Sequence, residues 1–274
     1  MESKKTLTNN TTMKKAFMHF MLVLVLCVAP CLSANGQSKK KTEAQVSEAL
    51  KGYFTPASDA VAKPDSDGFI RRWMLLEPIS KPNSTNRVFT ETYTRDVLSK
   101  EYFPDQLTVL PKDGDKVKVN MEYQPPVDLS SNRPRTAAEN GPKFVNETLQ
   151  WHALDSDHFF VKLFRFATGL NKTRYGVIFW SVTVVNCEED IEDVRLAVGS
   201  NKAAMWWVNG EELLLLAGDR HMGVDSAVSK RITLKKGKNI VRGVTINGPG
   251  MSEFCVRFID DYGKPVTNYT VSVN

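Results

Sequence analysis

Short apolar runs rich in β-branched and aromatic residues alternate with turn residues through the second half of the chain. Two of these runs flank Asn209 and Gly210, a dipeptide that supplies both positive-φ positions of a type I′ hairpin turn. Because no helical period separates the runs, the pattern predicts an antiparallel β-sandwich or jelly roll rather than a parallel α/β sheet. Besides the two hairpin strands, strands are predicted over residues 175–185, 194–198, 228–234, 240–246, 254–259 and 266–273.

Two helices are predicted ahead of this strand series. A capping-box sequence begins the first helix at Thr42, and Pro56 stops it soon afterwards. Possible N-caps at 83–86 precede Phe89, Tyr93 and Val97, which repeat every four residues and predict a second helix lying on the sheet. The expected fold is therefore all-β with two or so peripheral helices.

The chain divides into a leader, an N-terminal helix with a linker, and one large β domain. We place these at residues 1–36, 37–68 and 69–274. A long Pro-, Asn- and Ser-rich loop interrupts the β domain at residues 124–143, and such loops are usually functional or disordered. Further strands are expected at 69–77, 107–110 and 117–121, and order is expected to return at 147–154 and 159–166.

The leader has the order of a secretory signal peptide. Lys14 and Lys15 precede an apolar stretch over residues 17–29, and Ala34 and Gly36 are the small residues of a cleavage site. The apolar stretch is short for a membrane anchor, and Pro30 stands where a lipoprotein signal before Cys31 requires a small residue. We therefore predict export to the periplasm or beyond the cell, without a membrane span after cleavage.

Charge gives no indication of a polyanionic partner. The chain of 274 residues has a formal net charge of +5, but its leader holds four lysines and one glutamate, so the remainder carries only +2. Such a balance does not favour binding to nucleic acid or to a charged membrane surface.

Catalytic and cofactor motifs are missing from the sequence. The nearest approach to the Gly-x-Ser-x-Gly elbow of a hydrolase surrounds Ser252 and lacks the second glycine. The three histidines outside the leader are scattered, and neither Cys187 nor Cys255 has another ligand at metal-binding spacing. Whether the two cysteines pair stays open. The acidic run at 188–193 is interpreted as a solvated turn, and no cofactor or metal is predicted.

Trp206 and Trp207 raise a question of exposure. Successive side chains of a strand face opposite ways, so we expect that the two rings cannot both enter the core. The outward ring either forms a platform for a sugar or lies beneath a helix or loop.

Four segments of the sequence form a recognisable set: 73–78, 199–201, the hairpin at 206–210 and the turn at 234–241. Together they resemble the galactose-binding-like jelly roll, and in particular the non-catalytic part of secreted polypeptides labelled acetylxylan esterase. The resemblance covers roughly residues 40–273, without the hydrolase domain that would hold the esterase triad.

The resemblance implies a secreted, non-catalytic, carbohydrate-binding module associated with the degradation of xylan or another plant polysaccharide. Its ligand would be a polysaccharide or oligosaccharide, and a polysaccharide-degrading enzyme is a possible partner. Binding in such jelly rolls uses the loops at one end, here 218–223 and 247–250. The candidate sugar-binding residues are Trp207, Asp219, Arg220, His221 and Asn247, although a structural salt bridge explains the charged residues equally well.

Two other functions are compatible with the sequence. The first is a glycan-active enzyme, an esterase or a glycoside hydrolase, that takes its acid and base from loop carboxylates. The second is a purely structural module of the cell envelope. A concave pocket with two carboxyl groups would favour the enzyme, whereas a flat or grooved aromatic surface would favour the binding module.

Overall fold

A computed structural model gives the fold, and it describes residues 48–81, 90–123, 143–248 and 250–273. Among these residues every recorded strand pairing is antiparallel. The strands are β1 (Phe54–Pro56), β2 (Arg72–Leu76), β3 (Ile79–Ser80), β4 (Lys116–Tyr123), β5 (Lys143–Ser156), β6 (Val177–Cys187), β7 (Ile191–Ser200), β8 (Ala204–Val208), β9 (Glu211–Leu216), β10 (Ala227–Leu234), β11 (Gly237–Asn247), β12 (Phe254–Ile259) and β13 (Thr270–Ser272).

The strands form two sheets of unequal size. The large sheet has ten strands and the order β1-β5-β2-β6-β11-β8-β9, with β4 paired to β5 and with β3 and β13 paired to β6. The small sheet has three strands in the order β10-β7-β12. This architecture confirms the predicted all-β, antiparallel β-sandwich.

The described residues contain two complete helices, α1 (Glu91–Leu98) and α2 (Leu163–Gly169), and a helical segment at 48–50 that ends before β1. Helix α1 begins after Thr90, whose hydroxyl oxygen accepts a hydrogen bond from the Tyr93 N–H at 3.2 Å. The predicted caps at 83–86 and at Thr42 lie outside the described residues. Within the described part of the chain, no helix combines the length and the apolar character needed to span a bilayer.

The predicted strand over residues 107–110 is wrong. Asp105 has a φ of 57°, and its carbonyl oxygen accepts hydrogen bonds from the N–H groups of Thr108 and Val109 at 2.8 and 2.7 Å. Those N–H groups serve a local turn, so they are not available for a strand ladder.

Aromatic rings hold the two sheets together. Trp73 and Trp206 of the large sheet meet Phe254 of the small sheet, with ring centroids 5.1 and 5.0 Å apart, and all three side chains are fully buried. Gly243 on the neighbouring strand makes room for the Trp206 ring, since a Cβ there would lie 2.3 Å from it. The small sheet thus covers one face of the large sheet.

Helix α1 and the residues that follow it cover the opposite face. Trp207 stacks on Trp180, with centroids 6.0 Å apart and an interplanar angle of 11°, and Phe103 packs edge-on against Trp180. Val97 and Leu98 of α1 belong to the same cluster. Trp206 and Trp207 are 0% and 5% exposed. The expectation that both rings cannot enter the core is wrong, because the large sheet has a covered surface on both sides.

Both cysteines in the described part of the chain are free thiols. Cys187 ends β6 and Cys255 lies in β12, and both side chains are buried. Burial raises the pKa of the Cys255 thiol to about 12. These thiols therefore behave as small core residues.

The turn between β8 and β9 is the predicted hairpin. Asn209 and Gly210 have φ angles of 52° and 82°, which confirms the positive φ expected at both positions. The Asn209 side chain also accepts a hydrogen bond from the Ile240 N–H at 2.8 Å, so it ties the turn to β11.

Replacing Gly210 tests this turn. Space around the glycine is open, so the cost of Gly210→Val arises from the backbone conformation alone and should be about 1–3 kcal/mol. Chemical denaturation measures the loss. Gly210→Asn is the matched control, because asparagine tolerates positive φ, and it should be clearly milder. Equal stability of the two variants would contradict the turn geometry.

Candidate functional site

Three loops meet at one end of the sandwich, and we call their common surface the loop surface. They are residues 201–203 between β7 and β8, residues 217–226 between β9 and β10, and the described residues 248 and 250–253 between β11 and β12. The sequence predicts binding loops at 218–223 and 247–250, and the described residues of both lie at this end of the molecule.

Asn201 joins all three loops. Its side-chain amide donates to the Met251 carbonyl at 3.0 Å, and its side-chain oxygen accepts from the Glu253 N–H at 3.1 Å. Its backbone carbonyl accepts from the Arg220 N–H at 3.2 Å. The sequence shows Asn201 only as part of a Gly-Ser-Asn segment, so its connecting role was not predicted.

Asp219, a predicted sugar-binding residue, is paired with Lys202. The Lys202 Nζ lies 3.0 Å from an Asp219 carboxylate oxygen, and the two side chains are 9% and 51% exposed. The structural salt bridge that the sequence left as an alternative is therefore present. Half of the Asp219 side chain still faces outward, where it can accept further hydrogen bonds.

Arg220 and His221 follow on the same loop. The Arg220 guanidinium donates to the Ala217 carbonyl, and partial burial lowers its pKa. His221 is exposed. Arg220 thus shapes the loop from inside, whereas His221 faces outward.

The 217–226 loop is anchored to the small sheet. Asp225 accepts from the Arg257 Nε at 3.1 Å and forms a second contact with that guanidinium. The Gly223 carbonyl passes so close to Gly199 that a Cβ on Gly199 would lie 2.1 Å from it. This loop therefore has a defined position before any ligand arrives.

An aromatic and cationic group adjoins the loop surface. The Arg174 guanidinium lies 5.3 Å from the ring centroids of both Phe164 and Tyr175, and the two rings are 5.9 Å apart. Tyr175 is 45% exposed. The Phe164 N–H donates to the Ser252 carbonyl at 3.2 Å, which links this group to the 248–253 loop.

Asn247 supports this aromatic group from below. Its side chain is fully buried, and its amide donates to the Arg174 carbonyl. Direct contact with a ligand is therefore excluded for Asn247 in this conformation. The residue instead fixes the backbone that presents Arg174 and Tyr175.

A buried carboxylate fixes the preceding residues. Glu77 accepts from the Lys172 Nζ at 3.1 Å and from the Gln150 N–H at 3.2 Å, and it lies 3.6 Å from the His152 ring nitrogen. Burial raises the pKa of Glu77, but the contacts with His152 and Lys172 and the Gln150 N–H outweigh it and leave the pKa below its usual value. The segment that leads to Arg174 is thus attached to β2 and β5.

Trp207 is not part of the loop surface, which corrects the prediction that it offers a sugar platform. The ring stacks on Trp180 beneath α1, and at 5% exposure it has no open face. Tyr175 instead supplies an exposed aromatic ring, although the sequence pattern predicted that this residue lies inside a strand.

The carboxylates of the loop surface are engaged in ion pairs, and its Ser252 hydroxyl is buried. The carboxylates of Asp219 and Glu253 already pair with Lys202 and Lys162. Within the described part of the chain, the Ser252 hydroxyl is buried and has no hydrogen-bond partner, so no described side chain is placed to act as its base. The acidic run begins in an exposed turn between β6 and β7, where Asp190 pairs with Lys235 at 2.9 Å.

The fold and site together define an antiparallel β-sandwich with a polar and aromatic surface carried by loops. Comparison with protein-family models gives no match, and comparison with curated proteins gives none either. The resemblance to acetylxylan esterase-type polypeptides therefore stays a prediction from the sequence.

Some solved structures are similar to this chain at low identity. The PA14 sugar-binding domain from an RTX adhesin has a TM-score of 0.34 and 12% identity, over 73% of this chain and 96% of that one. The PA14 domain of the antifreeze protein MpAFP has a TM-score of 0.35 and 11% identity, over 76% and 88%. A β-glucosidase from Kluyveromyces marxianus has a TM-score of 0.29 and 15% identity, over 83% and 30%. With TM-scores below 0.5, these likenesses transfer neither ligand nor activity.

Truncation of Trp207 separates the core from the site. Trp207→Ala should lower the free energy of unfolding by about 3–5 kcal/mol, because it removes a ring packed between Trp180 and α1. Chemical denaturation measures this, and Trp207→Phe should recover part of the loss. Any glycan binding measured under conditions where the variant is folded should be unchanged. Unaltered stability would contradict the core position of the ring.

Proposed function

We propose that this chain is an exported, non-catalytic carbohydrate-binding module and that the loop surface binds the sugar. The observation that supports the proposal most directly is the half-exposed Tyr175 ring beside Arg174, at the edge of three loops tied together by Asn201. An aromatic ring with polar groups around it matches the surface of a sugar, which has an apolar ring face and a rim of hydroxyls.

The surface needs little reorganisation to bind. Asn247 and the Lys172–Glu77 ion pair hold the backbone on both sides of Arg174, and Asp225 with Arg257 holds the 217–226 loop. Binding sites that are fixed beforehand lose less conformational entropy on association. Asp219 and His221 then remain as outward-facing groups for sugar hydroxyls, in the role that we proposed for them from the sequence.

Export and the link to plant polysaccharide belong to the same proposal. The order of basic, apolar and small residues in the leader supports cleavage after residue 36. The resemblance to the non-catalytic part of acetylxylan esterase-type polypeptides supports a xylan-like ligand and an association with a polysaccharide-degrading enzyme. We propose a β domain that contains residues 69–274, as predicted from the sequence, and also β1, because residues 54–56 of the predicted helix and linker at 37–68 pair with β5.

Removal of the Tyr175 ring tests sugar binding. Tyr175→Ala should weaken binding to soluble plant polysaccharides about tenfold, because an aromatic contact of about 1.4 kcal/mol is lost. Isothermal titration calorimetry and affinity electrophoresis measure the change. Tyr262→Ala is the matched control, since that ring is 89% exposed and lies in the turn after β12. Equal losses in both variants, or none in Tyr175→Ala, would count against the loop surface and favour a purely structural role.

We also expect the mature chain to lack esterase activity. The Ser252 hydroxyl is buried and has no hydrogen-bond partner among the residues that the structure describes, and the sequence around it lacks the second glycine of the elbow. Incubation of the purified protein with acetylated xylan, followed by an acetate assay, checks this. Acetate release that Ser252→Ala abolishes would show that the chain is an enzyme.

A further inference from the structure

We infer that the loop surface recognises sugars that carry a carboxylate, with Arg174 as the residue that binds it. This inference rests on the proposed function and specifies its ligand as a glycan containing uronic acids. The observation behind it is an imbalance of charge. Counted among the described residues, together with the side chains that pair with the loops and with Arg174, there are five cations (Lys162, Lys202, Arg174, Arg220 and Arg257) and three carboxylates (Asp219, Asp225 and Glu253), and each of these carboxylates already has a lysine or arginine partner.

The positive groups differ in whether they have an acceptor. Lys162 pairs with Glu253, Lys202 with Asp219, and Arg220 donates to the Ala217 carbonyl. Arg174 is exposed, and within the described part of the chain its guanidinium contacts only the faces or edges of aromatic rings. Its N–H groups are therefore the donors that remain for an anionic ligand.

The position of Arg174 matches the shape of a uronic acid. Its guanidinium carbon lies 5.3 Å from the Tyr175 ring centroid. A sugar ring that packs on the exposed part of Tyr175 has its carboxylate about 4 Å from the ring centre, within reach of that guanidinium. Arginine binds a carboxylate through two parallel N–H···O bonds, which fixes the orientation of the sugar as well as its charge.

The guanidinium is also held in place before binding. Phe164 and Tyr175 flank it, and the buried Asn247 amide donates to the Arg174 carbonyl. Two residues further on, the Gly176 carbonyl accepts from the Lys81 N–H at 2.6 Å. A neutral sugar would not need the positive charge of Arg174. The formal net charge of the chain without its leader is only +2, which does not favour general binding of polyanions.

One polymer in two forms gives the test. Glucuronoxylan with its native carboxylates is compared with the same polymer after chemical reduction of those carboxylates to alcohols. We expect the native chain to bind the carboxylate form about tenfold more tightly or better, a preference that added salt weakens. Arg174→Gln should bind both forms alike, at the level of the reduced polymer. Arg95→Gln, an exposed arginine on α1 that pairs with Glu212, should keep the preference.

The outcomes separate this inference from the proposed function. Equal binding of the two polymers by the native chain, lost in Tyr175→Ala, would overturn the role of Arg174 and leave the binding module in place. A preference that persists in Arg174→Gln would overturn it too. Binding of sulfated dextran that is as tight and insensitive to Tyr175→Ala would indicate simple attraction of polyanions and also overturn it. If neither polymer binds, the inference fails. The binding of other soluble plant polysaccharides by the native chain and by Tyr175→Ala then decides whether the proposed function holds.

Discussion

The alternation of side chains along β8 is the constraint on which the rest of the structure depends. Trp206 and Trp207 must point to opposite sides of one strand, and each ring is too large and apolar to leave in water. The small sheet covers the first ring, and α1 with the residues after it covers the second. In the described part of the chain, both faces of the large sheet are thus covered at β8. The ends of the strands are left as the place where a ligand could reach side chains of the sandwich.

The loops at the strand ends are held in place by specific contacts, as the core is. One asparagine, Asn201, makes three hydrogen bonds to two other loops, and the Gly223 carbonyl sits where a side chain on Gly199 would have to be. These contacts are polar and backbone-mediated, so they fix geometry without filling a hydrophobic interior. Phe164 and Asn247 connect the aromatic group at Tyr175 and Arg174 to this framework, because Phe164 bonds to the Ser252 carbonyl and Asn247 bonds to the Arg174 carbonyl.

Much of the fold follows from local patterns, whereas the site does not. The strands are encoded in runs of β-branched and aromatic residues, and Asn209-Gly210 encodes the hairpin through its own backbone preference. Alternation places Trp207 opposite Trp206 but is silent on what lies over it, because α1 is distant along the chain. The sequence pattern places Tyr175 at the start of a strand, but strand β6 begins two residues later, at Val177. Tyr175 therefore lies before the strand, where its ring is 45% exposed.

The two buried thiols have a consequence for the behaviour of the folded domain in an oxidising solution. A thiol with its pKa raised to about 12 forms almost no thiolate at neutral pH, so Cys255 is a poor partner for disulfide exchange while the domain is folded. Only molecules that have opened expose it. Oxidative cross-linking between copies through Cys255 would therefore report on unfolding events.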